Sequence, residues 1–250
     1  MQIQLIRNAT LRIDFAGRRF IIDPFLAPKH TMESFTGESL NPVVDLPCAP
    51  QEAVEGVEMV VVSHLHPDHI DQIAVELLLP KEIPVFCQPG DEVAFKRARF
   101  GSVTPVESSA KWNGITITRT PGRHGTGFMA EQMGRVSGFI FEAEGEPRVY
   151  WAGDTIWYDG VARVLKHMEP DIVITHSGGA KFPGSGPIIM DTEQTISVCE
   201  AAPQATVIAT HMESLDHLTV SRADLRTLAE QKGIAANRLL IPADGETLSL

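Results

Sequence analysis

"VVSHLHPDHID" (residues 61–71) decides the reading of this chain: an oily run stops at His64 and gives way to a knot of histidines and aspartates. His64 and His66 are two apart, so in extended chain they project from one face, as two ligands of a single ion must. Pro67 turns the chain, and Asp68 and His69 leave at a new angle from which they can reach a second ion. Neutral imidazole with carboxylate is a ligand set for zinc, manganese or iron. The plain alternative is a solvated, histidine-rich loop, but this spacing straight after a buried run argues against it.

Working outward, three more short apolar runs end on the same residue types. "MVVVSH" ends at His64, "RVYWAGD" at Asp154, "DIVITH" at His176 and "ATVIATH" at His211. Branched runs of this kind read as strands buried on both faces. Helix-like stretches lie between some of them: "HIDQIAVELLL", "YDGVARVLKHM" and "MDTEQTISVCEAA". In the last, Asp191 and Gln194 form a capping-box-like start. Ligands gather beyond the carboxyl ends of strands in helix-covered sheets, so these ends define one crevice. Upstream, residues 2–6 and 11–15 alternate polar and apolar as half-buried antiparallel strands do, with "RFIIDPF" as a third. Residues 28–51 have little periodicity and four prolines, which predicts a lid or binding loop offering Phe35, Leu40 and Val43. Packing of that loop against a second copy, in a homo-oligomer, is the other reading.

The motif H-x-H-x-D-H, with the Asp of "GDT", resembles the metallo-β-lactamase superfamily. The opening "NAT…IDPF", the form "HLHPDHID", "MDTEQT" and the late "ATH" are similar to the branch containing ascorbate-phosphate lactonases and N-acyl-phosphatidylethanolamine phospholipase D. The resemblance covers nearly the whole chain and implies one domain over 1–250. The fold it implies is a four-layer αβ/βα sandwich of class α/β, two mixed sheets flanked by helices. It implies two divalent ions: His64, His66 and His124 for the first, Asp68, His69 and His211 for the second, and Asp154 bridging both. Zinc leads, with manganese or iron as alternatives. Taken alone, His124 could be a solvated turn residue, Asp154 a turn or cap aspartate and His211 a hydrogen-bonded core histidine. Asn8 departs from the pattern, since many relatives carry His there, and Asn cannot carry a proton. His66 sets the chain apart from the diiron flavoproteins, which place Glu at that position.

Other candidates are weaker. Asp71 can support a ligand ring or simply favour the start of a helix, and Asp23 is a second candidate support. His176 exceeds the ligand count and is a substrate or supporting candidate. His217 can donate a proton or bind an anion. Lys181 and Arg123 are the cations nearest the site by sequence. His30 and His167 receive no role.

Two ions sharing a water would lower its pKa toward neutrality and make a nucleophile, with Asp68, Asp154 and His217 the catalytic candidates. The resulting expectation is a metal-dependent hydrolase of a small soluble ester, lactone or phosphoester, the substrate neutral or anionic. A silent metal-binding or ligand-sensing protein and an iron-dependent oxidoreductase are the competing classes. The net charge of −11 argues against a nucleic-acid partner. No apolar stretch approaches the ~20 residues of a membrane span. Cys48, Cys87 and Cys199 are odd in number and far apart, so a reducing cytoplasm without disulfides is expected.

Overall fold

The computed structural model describes residues 1–250. The chain opens with an antiparallel meander, β1 (Gln2–Arg7), β2 (Thr10–Phe15) and β3 (Arg18–Ile22). Ala16 and Gly17 both take positive φ between β2 and β3, the conformation that matches a two-residue turn to the strand twist. Helix α1 (Pro50–Ala53), β4 (Met59–Val62), α2 (Gln72–Leu78), β5 (Val85–Cys87), α3 (Glu92–Arg97) and β6 (Val103–Pro105) follow. The next half starts with β7 (Ser109–Trp112) and β8 (Ile115–Pro121), joined at Asn113-Gly114, again both at positive φ. Then come α4 (Gly127–Met133), β9 (Ser137–Glu142), β10 (Val149–Trp151), α5 (Asp159–Met168) and β11 (Ile172–His176). Last are α6 (Thr192–Ala201), β12 (Thr206–Thr210), α7 (Arg222–Gln231), β13 (Leu239–Leu240) and β14 (Thr247–Ser249).

Two seven-stranded sheets result, in the orders β14-β1-β2-β3-β4-β5-β6 and β13-β12-β11-β10-β9-β8-β7. Each is antiparallel in one half and parallel in the other: β3 to β6 and β10 to β13 run parallel. Side-chain alternation assigns each strand to two cores at once. Met59 and Val61 of β4, Phe139 and Phe141 of β9, Trp151 of β10 and Ile174 of β11 share the core between the sheets. Val60 and Val62 point the other way, under Ala74 and Leu78 of α2 and Phe95 of α3. Tyr150, Val173 and Val207 do the same under α5, α6 and α7. The layers are therefore helix, sheet, sheet, helix, the α/β sandwich of the metallo-β-lactamase fold.

Asp191 does cap α6, accepting from Gln194 N at 3.0 Å. Gln194 does not return the bond, because its side-chain oxygen accepts from Trp157 N at 2.9 Å instead. The reciprocal box is at α7, between Ser221 and Asp224. All three cysteines are unpaired. No helix is long and apolar enough to cross a membrane.

Candidate metal centre

The parallel halves of both sheets present their carboxyl ends to one edge of the sandwich. His64 stands two residues beyond β4, and the turn that follows carries His66, Asp68 and His69, closed by His69 N donating to His66 O at 3.0 Å. His124 lies on the link between β8 and α4. Asp154 follows β10, His176 is the last residue of β11, and His211 follows β12. Three non-glycine residues at this edge, Asn8, Asp23 and His211, hold φ of 60°, 44° and 58°. Such left-handed backbone persists where surrounding contacts over-determine it. One such contact is His211 N donating to Asn8 O at 2.9 Å. Gly178 is another requirement, since a Cβ there would stand 2.1 Å from His211 O.

The side chains converge in three overlapping groups, one of them Asp154, His176 and His211. One ligand atom from each of His64, His66, His124 and Asp154 falls within 4.8 Å of the others, and the same is true of Asp68, His69 and His211. Asp154 lies between them. Its Oδ2 is 3.1 Å from His69 Nε2, 3.3 Å from His124 Nε2 and 3.8 Å from His64 Nε2. Its Oδ1 is 3.7 Å from His211 Nε2 and 2.5 Å from His176 Nδ1.

Three of the ligand rings have their outward nitrogens committed. His69 Nδ1 meets Asp23 Oδ2 at 2.6 Å, His124 Nδ1 meets Ile188 O at 2.8 Å, and His64 Nδ1 meets Ser63 Oγ at 2.8 Å. Asp23, fully buried, also accepts from Ser63 N and Ser63 Oγ. His64, His69 and His124 are thus oriented from behind, the arrangement that aims Nε2 at a cation. Buried Nε2 atoms of His64 and His211 have no protein partner. Orphaned buried nitrogens are costly unless something occupies the space they face. Imidazoles and carboxylates in this arrangement fit divalent ions of borderline hardness.

Without ions, the cluster holds its charge by mutual contact. Burial alone would raise the Asp154 carboxyl, but the His69, His211 and His124 rings around it hold it well below the usual carboxylate range. Asp68 behaves likewise, burial opposing the charge and His69 and His211 favouring it. Burial also works against a proton on His69, yet Asp154, Asp68 and Asp23 together push that ring well above its ordinary value. Burial pushes His176 and His217 each down to about 4, so both are neutral near pH 7.

The structure gives the remaining candidates distinct places. Asp71 supports no ligand ring: it is the N-cap of α2, accepting from Ala74 N at 2.7 Å, and also accepts from Leu26 N at 2.6 Å. His176 is fully buried behind Asp154, where it orients Oδ1 and is out of a substrate's reach. Arg123 stacks its guanidinium 4.4 Å from the Tyr158 ring centre. Lys181 is exposed and outside the cavity beside the cluster. That cavity has a volume of 140 Å³, with Phe35, Met133, Phe182, Ile188 and His217 around Asp68, Asp154 and His211. No lysine or arginine lines it. Phe35 brings the 28–51 loop to the cavity, but Leu40 and Val43 do not reach it. Arg123 lines a separate groove of 380 Å³ with Arg119, Arg135 and His124.

Sequence reasoning missed what Asn8 does. It is buried, its Nδ2 donates to Asp68 O at 3.0 Å, and its Oδ1 accepts from Ser214 Oγ at 2.6 Å. Its side chain therefore ties the segment bearing Asp68 to the one following His211.

Residues 18–212 match the family model described as a beta-lactamase superfamily domain. The chain is 37% identical to UPF0173 protein YddR of Bacillus subtilis, over 99% of both chains. It is 30% identical to a UPF0173 metal-dependent hydrolase of Xanthobacter autotrophicus, over 71% of this chain and 72% of that one. Among solved structures, one from Veillonella parvula, described as a possible metal-dependent hydrolase, superposes with a TM-score of 0.95 at 36% identity. That match covers 100% of this chain and 99% of the other. An isothiocyanate hydrolase from Delia radicum gut bacteria superposes with a TM-score of 0.91 at 34% identity, with the same coverage. The chain belongs to the beta-lactamase superfamily, in the UPF0173 family of metal-dependent hydrolases.

Proposed function

We propose that this hydrolase binds two divalent ions and acts on a small, uncharged molecule with an electrophilic carbon, such as an isothiocyanate, a short ester or a lactone. The observation that carries the reading is the cavity: apolar at its walls, free of lysine and arginine, and open to the ligand cluster. His64, His66 and His124 would hold one ion, Asp68, His69 and His211 the other, and Asp154 would bridge them. When bound, zinc, manganese or iron would supply an acidified water and polarise the electrophile.

The chain's own groups do the rest. Phe35, Phe182 and Ile188 hold the apolar part of the substrate and exclude bulk water. Asp68, ionised and lining the cavity, orients the attacking water by a hydrogen bond. His217 also lines the cavity, and its buried Nδ1 has no protein partner. As a neutral ring it takes up or passes on a proton at the substrate's leaving atom, rather than acting as a standing imidazolium acid. With an isothiocyanate, water oxygen adds to the central carbon and the nitrogen takes a proton. The water's second proton passes to the same nitrogen as the carbon–nitrogen bond breaks, yielding an amine and carbonyl sulfide.

The likeness to the isothiocyanate hydrolase supports an uncharged carbon electrophile and adds isothiocyanates to the ester, lactone and phosphoester range expected from the sequence. A phosphoester would bring anionic oxygens into a cavity with no cationic side chain to meet them. The test is turnover by zinc- and manganese-loaded protein on methyl, allyl and butyl isothiocyanate, ethyl acetate, γ-butyrolactone and bis(4-nitrophenyl) phosphate. Amine release from the isothiocyanates, or opening of the neutral esters, at a kcat/KM well above the phosphodiester's is expected. A preference for the phosphodiester would overturn the reading, and no turnover of any substrate would favour a silent binding protein. The unpaired cysteines suit a reducing compartment such as the cytoplasm.

A further inference from the structure

The part of the loop that brings Phe35 to the cavity is gathered on one carboxylate. Asp216 Oδ2 accepts from Thr36 N at 3.1 Å, from Thr36 Oγ1 at 2.8 Å and from the Ser34 hydroxyl. Its Oδ1 accepts from Phe35 N at 3.1 Å and from Asn41 Nδ2 at 2.8 Å. Asp216 N in turn donates to Asn41 Oδ1 at 2.8 Å. The next residue is His217, whose ring meets the Phe35 ring edge-on at 4.7 Å and lies 5.8 Å from Phe182. One short segment therefore sets both the cavity wall and the position of the aromatic lid above it.

We infer that Asp216 is a positioning residue that latches Phe35 over the cavity, and that Phe35, His217 and Phe182 form a filter admitting only short apolar chains. The inference rests on the substrate reading above and narrows it by size. A dry cavity of about 150 Å³ holds one benzene. At 140 Å³, part of it claimed by the ligand cluster, this one takes a tail of about three to five carbon atoms. Longer chains must displace Phe35. The latch resists that displacement because moving Phe35 also breaks bonds to a carboxylate, which are stronger than those between neutral groups.

The probe is a series of straight-chain alkyl hydroxamates, from acetyl to octanoyl, titrated by calorimetry into zinc-loaded protein. A hydroxamate head chelates zinc whatever the natural substrate is, so the tail reports the filter alone. For the wild-type protein, affinity should peak near butanoyl or hexanoyl and drop about tenfold or more at octanoyl, the scale set by a methylene that does not fit. Phe35→Ala and Asp216→Ala should both raise the octanoyl-to-butanoyl affinity ratio about tenfold with zinc stoichiometry unchanged. Phe35→Trp should shift the peak to shorter tails. Asp216→Asn, keeping one carbonyl acceptor, should stay nearer the wild-type profile than Asp216→Ala.

A flat wild-type profile, or a Phe35→Ala profile that superposes on the wild type, overturns the filter. An Asp216→Ala protein that binds zinc yet keeps the wild-type profile overturns the latch. Should Asp216→Ala fail to fold, Ser34→Ala combined with Thr36→Val removes two hydroxyl donors and must shift the profile in the same direction. The hydrolase reading fails separately: a peaked hydroxamate profile without turnover of any neutral substrate leaves the filter standing and removes the reaction.

Discussion

Changing Asp23 to Asn removes one oxygen from a buried three-bond acceptor and separates ligand support from ligation. In the native protein Oδ1 accepts from Ser63 N at 2.8 Å, while Oδ2 accepts from Ser63 Oγ at 2.7 Å and from His69 Nδ1 at 2.6 Å. Asn offers one oxygen and one NH₂, so it cannot serve both sides. With its oxygen toward Ser63 N, its NH₂ faces His69 Nδ1, and the ring must move its proton to Nε2, where an ion would bind. With its oxygen toward His69, two donors face each other at Ser63 in a site shut off from water. Either mismatch costs about 1–3 kcal/mol, equivalent to about 5- to 150-fold in a binding constant. Outer partners of metal ligands elsewhere are worth about the same range.

The loss should fall mainly on the ion held through His69, because His64 feels Asp23 only through Ser63 Oγ at 2.8 Å. Calorimetric competition against a zinc chelator reads the two affinities, and circular dichroism checks the fold. Asp23→Asn protein that folds normally and binds its weaker ion within about threefold of wild type would refute the support role of Asp23.

Elemental analysis of zinc-loaded protein should find two ions per chain, falling toward one and losing turnover in Asp154→Ala, while circular dichroism of the ion-free variant keeps the wild-type fold, with a lowered melting temperature because His69 loses a carboxylate partner. A single ion in the wild type would remove the dinuclear reading. Gly178→Ala should weaken ion binding although it touches no ligand side chain, since the added Cβ would stand 2.1 Å from His211 O and must displace it; unchanged affinity would show that the loop yields freely. The pH dependence has two signs. His69, held well above its ordinary value, stabilises the ion-free protein fully below about pH 6.5 and loses that contribution as pH rises through its folded value. Asp68 and Asp154, held low, contribute above about pH 4 and lose it as pH falls. Since an ion must displace the His69 proton, the gap in melting temperature between zinc-loaded and EDTA-treated protein should widen from pH 5 to pH 8. A gap independent of pH would contradict that protonation.

What the sequence exposes and what it hides divide along a physical line. The layered fold was legible because strand alternation is local: Met59-Val60-Val61-Val62 fills two cores by period alone. The ligand knot was legible because its members fall within a few residues and at strand ends, where topology gathers them. Asp71 stayed open between two readings because a carboxylate at the start of a helix and a carboxylate behind a histidine look alike in sequence; only the direction of its bonds, to Ala74 N and Leu26 N, tells them apart. Leu40 and Val43 misled because loop residues carry no period to say which way they face.

Asn8 and Asp216 lay beyond sequence reasoning for a stronger reason. Each acts on partners about 175 to 206 residues away in the chain, Asn8 on Ser214 and Asp216 on Asn41 and its neighbours. Both are small polar residues whose default in sequence is a turn, and Asn8 indeed sits in one, with φ of 60°. Its backbone conformation serves the hairpin between β1 and β2, while its side chain bonds to the Asp68 carbonyl and the Ser214 hydroxyl. That dual use accounts for a proton-inert residue at this position. A carboxamide can donate to one segment and accept from another at once, and neither bond depends on a titrating group. The bonds to Asp68 and Ser214 thus hold across the pH range in which His69 gains or loses its proton.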